Sequence, residues 1–174
     1  MVKPRAQVPP LELPTLEGGV WKISEQQPKN FTMIVAYRGL HCPICRGYLK
    51  ELDRSVPELG KRGVEVIAIS GDSQERAQRT REEWELEQLT IGYGLSLETA
   101  RSWGLYISKG KGQTSIGVEE PEYFAEPGLF LVKPQGTLYA AVINTMPFAR
   151  PRIQDVLAGL DFVIPHDYPV RGEA

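Results

Sequence analysis

A chain of 174 residues is long enough to bury a sizeable hydrophobic core in one domain. With 41% hydrophobic residues, 24% charged residues and a net charge of -2, its composition excludes a disordered or membrane-embedded chain and gives no basic excess for a nucleic-acid partner. The longest apolar runs, residues 31–37 and 128–132, are far shorter than the ~20 residues of a membrane-spanning helix. The basic N-terminus has no apolar segment behind it, so it does not predict a secretory signal, and we expect a cytoplasmic protein.

No internal repeat or linker divides the sequence, so residues 1–174 are predicted to form a single domain. Residues 1–10 are expected to be an extended lead-in, and residues 165–174 a polar tail. Between them, residues 20–23 follow the turn at residues 17–19 and predict the first short strand.

The first long element is the nearly continuous apolar run of residues 31–37, which predicts a strand buried on both faces. From Pro43 onward the apolar residues recur at helical spacing, and Pro57 is expected to kink or end that helix. Residues 64–70 predict a second strand, which a right-handed crossover should make parallel to the first.

A second helix is predicted over residues 74–87, so highly charged that it should lie on the surface with Trp84 as its anchor. Asp72 and Glu75 have the spacing of a capping box at its start. Residues 89–95 predict another short strand, and residues 97–104 a short helix that a glycine ends.

The last third of the chain predicts a loop, a hairpin and a helix. Residues 109–122 are rich in glycine and charge and are interpreted as a mobile loop or insertion. Residues 128–133 and 137–143 flank a Pro-Gln-Gly turn and predict an antiparallel hairpin. Residues 152–163 have the spacing of a final amphipathic helix.

The chain's only two cysteines, Cys42 and Cys45, stand between the first long strand and the helix. Pro43 suits the first position of a helix, where its missing N–H costs nothing, so Cys42 falls at the N-cap and Cys45 one turn inside. The unpaired N–H groups and positive end of a helix stabilise a thiolate, which is the reactive form of cysteine. The spacing therefore predicts a redox-active pair.

The helical pattern also distinguishes the two sulfurs. Cys45 shares the apolar stripe with Leu49 and should be shielded, whereas Cys42 precedes the helix and should be accessible. Arg38 and His41 are near enough in sequence to stabilise a thiolate further.

Other interpretations of the pair stay open. A structural zinc site usually takes four ligands, and with His41 and the distant His166 as the only histidines, one chain does not easily supply them. A metal or iron–sulfur cluster shared between two subunits is still an alternative, as is a pair of inert buried cysteines. Haem attachment would need a histidine where Arg46 follows the second cysteine.

The order of elements, with a cysteine pair after the first long strand, resembles the thioredoxin fold, an α/β fold with a central mixed sheet flanked by helices. Over residues 8–163 the chain resembles the peroxiredoxin-like family of alkyl hydroperoxide reductase and thiol-specific antioxidant (AhpC/TSA). Residues 11–19 resemble the family's lead-in, and residues 68–73 its second core strand and following turn. Residues 98–106 resemble its short helix ending in aromatic-Gly-aliphatic, and residues 130–136 its penultimate hairpin.

Two positions depart from this resemblance. Peroxiredoxins place a threonine three residues before the peroxidatic cysteine, and counting from Tyr37 puts Cys45 at the peroxidatic position and Cys42 in place of the threonine. The arginine that the family carries just before the hairpin falls on Pro127. Thioredoxins hold a cis-proline there, beside the cysteine pair, so Pro127 predicts a thioredoxin-like site within a peroxiredoxin-like body.

Peroxide chemistry needs a fixed cation near the reacting oxygens, and Arg38 and Arg150 are the candidates to replace the family arginine. The resemblance implies an enzyme, a thiol-dependent oxidoreductase and antioxidant in which Cys42 and Cys45 cycle between dithiol and disulfide to reduce disulfides and, with such a cation, hydroperoxides. Cys42 is expected to attack and Cys45 to resolve, with the reverse order as the mechanistic variant.

The implied partners are a disulfide or hydroperoxide substrate and a thiol reductant such as thioredoxin or glutathione, with a homodimer as one assembly open to the chain. No cofactor, nucleic acid or membrane is implied. The alternative hypothesis is a non-catalytic module of the same fold that binds a metal or iron–sulfur cluster across a subunit interface.

Overall fold

A computed structural model describes residues 2–174. In chain order its strands and helices are β1 (Glu12–Pro14), β2 (Val20–Lys22), β3 (Phe31–Ala36), α1 (Pro43–Lys61), β4 (Val64–Ile69), α2 (Gln74–Glu83), β5 (Thr90–Gly92), α3 (Leu97–Ser102), β6 (Ile107–Lys109), β7 (Tyr123–Ala125), β8 (Gly128–Val132), β9 (Leu138–Ile143) and α4 (Ile153–Val163). A short 3-10 turn, Ile23–Glu25, follows β2.

A five-stranded mixed sheet of order β5-β4-β3-β8-β9 forms the centre of the molecule. β3 is parallel to β4, and β4 to β5, whereas β8 pairs antiparallel with both β3 and β9. All six residues of β3 are buried, as its continuous apolar run predicts. The predicted parallel pair and the predicted hairpin are therefore both confirmed.

Alternate residues of β3 point into two cores. Met33 and Val35 face a cluster that includes Leu49 and Leu52 of α1 and buried residues of α4. Ile34 and Ala36 face a second cluster, which contains residues of α3 and of the N-terminal lead-in. The sheet is thus covered on both faces, as expected for a mixed α/β architecture.

Four connecting segments of the chain, which include the one that carries the cysteine pair, meet at one edge of this sheet. Ala36 at the end of β3 pairs with Ile69 at the end of β4 and with Gly128 at the start of β8. Gly128 in turn pairs with Ile143 at the end of β9. The chain just after β3, β4 and β9 and just before β8 therefore meets at one place, the usual location of a site in an open α/β sheet.

The structure differs from the predicted start of α2 and from one of the two outcomes predicted for Pro57. The N-cap of α2 is Ser73, whose hydroxyl accepts from the N–H of Arg76 at 3.3 Å, and not the Asp72 of the predicted capping box, because that carboxylate is used elsewhere. Pro57 does not end α1, which continues to Lys61, since the following turn buries Leu59 in the core and offsets the one hydrogen bond that proline removes.

Helix α2 is also shorter than predicted, because it ends at Glu83. The backbone then turns at Glu85, which has a φ of 54°, and this turn carries Leu86 into the core beside Trp84. Trp84 is 1% exposed, so its predicted role as the anchor of this helix is confirmed.

The segment interpreted as a loop is in part a hairpin. Its first residue, Lys109, belongs to β6 and pairs with Tyr123 of β7, and Gln113 bridges Glu119 farther out. The composition of this segment does not predict the pairing because few of its side chains are apolar. Backbone hydrogen bonds and polar side chains join the two arms, as where the N–H of Lys111 donates to the carboxylate of Glu120.

Candidate active site

The cysteine pair lies at the start of α1, at the edge of the sheet described above. Cys42 is the N-cap residue with extended backbone angles, Pro43 is the first helical residue, and the N–H of Cys45 points to the Sγ of Cys42 at 3.2 Å. The two cysteines are joined in a disulfide, with their Cα atoms 5.2 Å apart. The predicted N-cap position of Cys42 is confirmed, and one N–H of the first turn, that of Cys45, faces its sulfur.

The expected difference in exposure between the two sulfurs is wrong. Cys42 is 2% exposed and Cys45 is 0% exposed, so both are buried in the disulfide form. The sequence pattern misses this because Cys42 precedes the apolar stripe of the helix. In the structure Cys42 belongs to the core cluster that contains buried residues of β3, α1 and α4.

Arg150 is the cation that contacts the pair. Its Nη2 lies 3.0 Å from the Sγ of Cys45, and its Nε donates to the carbonyl of Pro147 at 2.8 Å. The guanidinium lies over the ring of Tyr48, with Cζ 4.5 Å from the centroid. The Tyr48 hydroxyl donates to the carbonyl of Pro151 at 3.0 Å, which ties the loop that carries Arg150 to α1.

The environment of Arg150 leaves it charged and only partly paired. Burial lowers the pKa of Arg150 to about 10, which still keeps the guanidinium protonated at neutral pH. Burial also raises the pKa of Tyr48 to about 12, so the phenol stays neutral beside it. The Nη1 atom of Arg150 is buried and has no hydrogen-bond partner among residues 2–174. A thiolate and an oxygen atom next to it could both be bound by this one side chain.

Arg38, the other candidate cation, is bound elsewhere. Its Nε and Nη2 donate to the two carboxylate oxygens of Glu126, each at 2.8 Å, and Glu126 is only 2% exposed. The hydroxyl of Ser108 donates to the same carboxylate, and Phe124 lies below the guanidinium at 5.3 Å from Cζ. The charge of Arg38 is therefore matched by Glu126 and not directed at a sulfur.

Pro127 lies in the buried stretch between β7 and β8, next to Glu126. Its peptide bond is trans, because none of the peptide bonds described for residues 2–174 is cis. The expectation of a thioredoxin-like cis-proline at this position is therefore wrong. The carbonyl of Pro127 accepts from the N–H of Asn144 at 3.0 Å, an extension of the β8–β9 pairing.

A buried carboxylate fixes the turn that leads into the cysteine pair. Asp72 accepts from the N–H of Leu40 at 2.8 Å and from Nε of Arg76 at 2.9 Å. Gly39 has a φ of 132°, and a Cβ at that position would lie 2.7 Å from Oδ1 of Asp72. Burial raises the pKa of Asp72, while Arg76 and the Leu40 N–H oppose that rise. Only glycine fits the turn in this form.

Arg76, which donates to Asp72, also contacts the buried side chain of His41. The residue is 0% exposed, its Nδ1 lies 3.4 Å from Nη2 of Arg76, and its ring centroid is 4.6 Å from that of Phe124. Burial and the charge of Arg76 lower the pKa of His41 to about 4, with Arg38 lowering it further and Glu120 opposing. The imidazole is neutral at pH 7, so His41 brings no positive charge to the cysteine pair at that pH.

The structure brings Arg150 to the Cys42–Cys45 disulfide, whereas Arg38 donates its hydrogen bonds to Glu126 and the carbonyl of Pro127 accepts from Asn144. The sequence-based reasoning missed Asp72 and Glu126 as parts of the site. An acidic residue inside an apolar run, as Glu126 is between Phe124 and Leu129, was a signal for a buried ion pair. Nothing in the sequence identified Arg76.

No group of three or more His, Cys, Asp and Glu side chains among residues 2–174 is placed to hold a metal ion. None of the helices described there is both long and apolar enough to span a membrane.

Comparison with known proteins adds independent information. The model of the AhpC/TSA family matches residues 4–141. Sequence comparison with curated proteins gives no match. The AhpC of Enterococcus faecalis superposes with a TM-score of 0.73 at 18% identity, over 98% of this chain and 99% of that chain. The peroxidoxin BcpB of Mycobacterium tuberculosis superposes with a TM-score of 0.71 at 15% identity, over 92% and 97%.

A third solved structure is reduced Prx3 of Vibrio vulnificus in complex with H2O2, with a TM-score of 0.71 at 13% identity, covering 92% of this chain and 99% of that chain. At these low identities the TM-scores establish the fold alone. The predicted thioredoxin-like fold of the peroxiredoxin type is confirmed.

Proposed function

Because the chain belongs to the AhpC/TSA family and is a thiol-dependent antioxidant oxidoreductase, we propose that it is a hydroperoxide reductase whose Cys42 and Cys45 form the whole redox cycle within one subunit. The observation that carries this proposal is the contact of Arg150 with the Sγ of Cys45. Arg150 thus supplies a cation at the cysteine pair, whereas Pro127 occupies the position where the family carries its arginine.

The same contact favours Cys45 as the attacking residue, which reverses the order expected from the sequence. A guanidinium next to a sulfur stabilises the thiolate, and the thiolate is the nucleophile. The buried Nη1 of Arg150 is a donor available for the peroxide oxygens, where charge develops as the O–O bond breaks. Cys42 has its own stabilisation at the helix N-cap, which suits the second thiolate of the cycle.

The Cys45 thiolate attacks one oxygen of the hydroperoxide, the O–O bond breaks, and the released alkoxide or hydroxide takes a proton, leaving a sulfenic acid on Cys45. The Cys42 thiolate then attacks that sulfur, the S–O bond breaks, and the departing hydroxide takes a proton to form water. The product is the Cys42–Cys45 disulfide, the state that the structure describes.

An external thiol closes the cycle. Attack of its thiolate on Cys42 expels the Cys45 thiolate, which Arg150 stabilises as a leaving group, and a second thiol releases the oxidised reductant. We place the cycle in the cytoplasm, where reductants such as thioredoxin or glutathione are present. Reduction of disulfides by the same cysteine pair is the less favoured activity, because the contact of Arg150 with the Sγ of Cys45 places a cation where a peroxide would react.

The test uses single-cysteine variants of the full chain after reduction. We expect Cys42→Ser to react rapidly with H2O2 and stop at a sulfenic acid that dimedone traps, and Cys45→Ser to lose that reaction. Rapid reaction of Cys45→Ser alone would establish the opposite order, and no reaction in either variant would refute the peroxidase. Insulin reduction by the same reduced wild-type sample, followed against stopped-flow peroxide consumption, separates a peroxidase from a disulfide reductase.

The metal-binding alternative has its own test. Colourless, metal-free protein after anaerobic purification, by absorption spectroscopy and metal analysis, would exclude a cluster shared between subunits. A metal bound in proportion to the cysteine pair would instead favour it over the redox cycle.

A further inference from the structure

Two hydrogen bonds fix the turn that leads into Cys42, and neither involves a sulfur. The N–H of Cys42 donates to the carbonyl of Gly39 at 3.1 Å, which closes the turn of residues 39–42. Inside this turn the N–H of Leu40 donates to Oδ2 of Asp72 at 2.8 Å. Asp72 is 2% exposed and lies in the loop between β4 and α2. The backbone of Cys42 is therefore tied to a loop that is distant in the sequence.

Arg76 of α2 holds the carboxylate that holds the turn. Its Nε donates to Oδ1 of Asp72 at 2.9 Å, so each carboxylate oxygen has its own donor. The Nη2 of Arg76 also lies 3.4 Å from Nδ1 of His41. Together Asp72 and Arg76 contact Leu40 and His41, the two residues directly before Cys42, and a side chain fixed in this way orients the group that it binds.

The disulfide requires Cys42 to lie close to Cys45 before the bond forms. In the disulfide their Cα atoms are 5.2 Å apart. A backbone that is already fixed loses little conformational entropy on bond formation, and this raises the effective concentration of one sulfur at the other. Because the hydrogen bonds of the turn use no sulfur, opening the disulfide removes none of them.

We propose that Asp72 is a positioning residue for Cys42, and that it accelerates the step in which Cys42 resolves the sulfenic acid of Cys45. The proposal rests on the cycle described above. In this step the Cys42 thiolate attacks the Cys45 sulfur, the S–S bond forms, the S–O bond breaks, and the departing hydroxide takes a proton to form water. Asp72 exchanges no proton. It acts through the N–H of Leu40 and keeps Cys42 within reach of Cys45.

A second hydroperoxide competes with this step. The sulfur of a Cys45 sulfenic acid that has not met Cys42 attacks one oxygen of another hydroperoxide, and the O–O bond breaks. The released alkoxide or hydroxide takes a proton, and a sulfinic acid remains on Cys45, which no longer forms a disulfide. Fast resolution by Cys42 therefore protects the enzyme from inactivation by its own substrate.

The first test measures the disulfide without peroxide. The full-length wild type, Asp72→Ala and Asp72→Asn are equilibrated with mixtures of reduced and oxidised glutathione, and the fraction of Cys42–Cys45 disulfide gives the effective concentration of one thiol at the other. We expect Asp72→Ala to lower it about tenfold, equivalent to about 30 mV for a two-electron couple. Asparagine retains an oxygen that accepts from the N–H of Leu40, so Asp72→Asn should stay within about threefold of the wild type.

Ser73→Ala is the matched control. Ser73 is the next residue in the chain, and its hydroxyl caps α2 by accepting from the N–H of Arg76 at 3.3 Å. Losing this cap should lower the free energy of unfolding and leave the glutathione equilibrium unchanged. The proposal would be overturned by a wild-type value in Asp72→Ala, by an equal fall in Ser73→Ala, or by a value in Asp72→Asn as low as that in Asp72→Ala.

Arg76→Gln is the second variant if Asp72→Ala does not fold. It removes the donor that orients the Asp72 carboxylate and leaves the carboxylate itself in place. The effective concentration should fall in the same direction, and an unchanged value in Arg76→Gln would then overturn the proposal.

The second test follows the peroxide reaction of the reduced protein by stopped flow. In Asp72→Ala, disulfide formation should slow about tenfold more than sulfenic acid formation, because only the approach of Cys42 is loosened. Mass spectrometry should find sulfinic acid on Cys45 at lower H2O2 concentrations than in the wild type. An equal slowing of both steps would overturn the proposal. Because the glutathione equilibrium involves no peroxide and does not depend on which cysteine attacks, a lowered effective concentration would uphold the positioning of Cys42 even if the peroxidase test failed.

Discussion

The Nη2 of Arg150 lies 3.0 Å from the Sγ of Cys45, although 105 residues separate them in the chain. The loop after β9 brings this cation to the start of α1 because β9 and β3 both end at the same edge of the sheet. The peroxiredoxin family, by the resemblance described above, carries its arginine just before the hairpin. In this chain the same chemical group reaches the cysteine from the other end of that hairpin.

Replacing Arg150 should slow the reaction with peroxide and leave the fold intact. We expect Arg150→Gln to lower the second-order rate constant for H2O2 about a hundredfold, because one preorganised donor at the reacting atoms is lost, and Arg150→Lys to retain an intermediate rate. Stopped-flow measurements with the reduced protein test this. Arg152→Gln is the matched control, since Arg152 is exposed and pairs with Asp155, and an equal loss there would contradict the role of Arg150.

Replacing Arg38 should lower the free energy of unfolding and have little effect on the rate of reaction with peroxide. Removing Arg38 leaves Glu126, which is 2% exposed, without its bidentate partner, and breaking a buried pair in this way costs about 3 kcal/mol. Urea unfolding of Arg38→Gln should show that loss. The double variant Arg38→Gln with Glu126→Gln should recover part of it, and a peroxide rate that falls as far as in Arg150→Gln would show that Arg38 acts at the sulfur.

A methyl group at Gly39 should destabilise the turn before the cysteines. Gly39→Ala combines a φ of 132° with a Cβ that would lie 2.7 Å from Oδ1 of Asp72, and we expect a loss of about 2 kcal/mol in unfolding free energy. Gly47→Ala is the control within α1, where a Cβ meets nothing within 4 Å. That substitution should stabilise the protein by about 0.5–1 kcal/mol, and similar losses at both positions would contradict this account.

Acid should weaken the fold through His41. Its pKa is lowered from 6.5 to about 4 in the folded protein, so the unfolded chain binds more protons between these values. The stability that His41 contributes is complete above pH 6.5 and is lost as the pH falls toward 4, by about 3 kcal/mol in total. Asp72 acts in the opposite sense, because its pKa is raised and the folded protein takes up its proton first.

Urea unfolding of the wild type and of His41→Gln at several pH values measures the contribution of His41 to the pH dependence of stability, because Asp72 is present in both proteins. The wild type should lose more stability than the variant between pH 6.5 and 4. Parallel curves for the two proteins would show that the ring is not buried in its neutral form.

Periodicity and chain order were sufficient for the elements of the central sheet. The apolar run of β3, the strand–helix–strand unit with β4 and the hairpin of β8 and β9 were predicted because each leaves a local pattern of side chains. The pair β6–β7 was missed because its arms are short and polar. Helix α2 ends earlier than the sequence predicts, because its charged pattern continues past the turn at Glu85.

The sequence alone predicts the chemistry of the first turn of α1, because two cysteines and a proline at the first helical position lie close together in the chain. Which cation meets which sulfur was decided only by the tertiary structure. Strand pairing at one edge brings Glu126 to Arg38 and leaves Arg150 to reach Cys45. A buried charge must be paired by whatever lies nearest in space, and that neighbour is set by the sheet and not by the sequence.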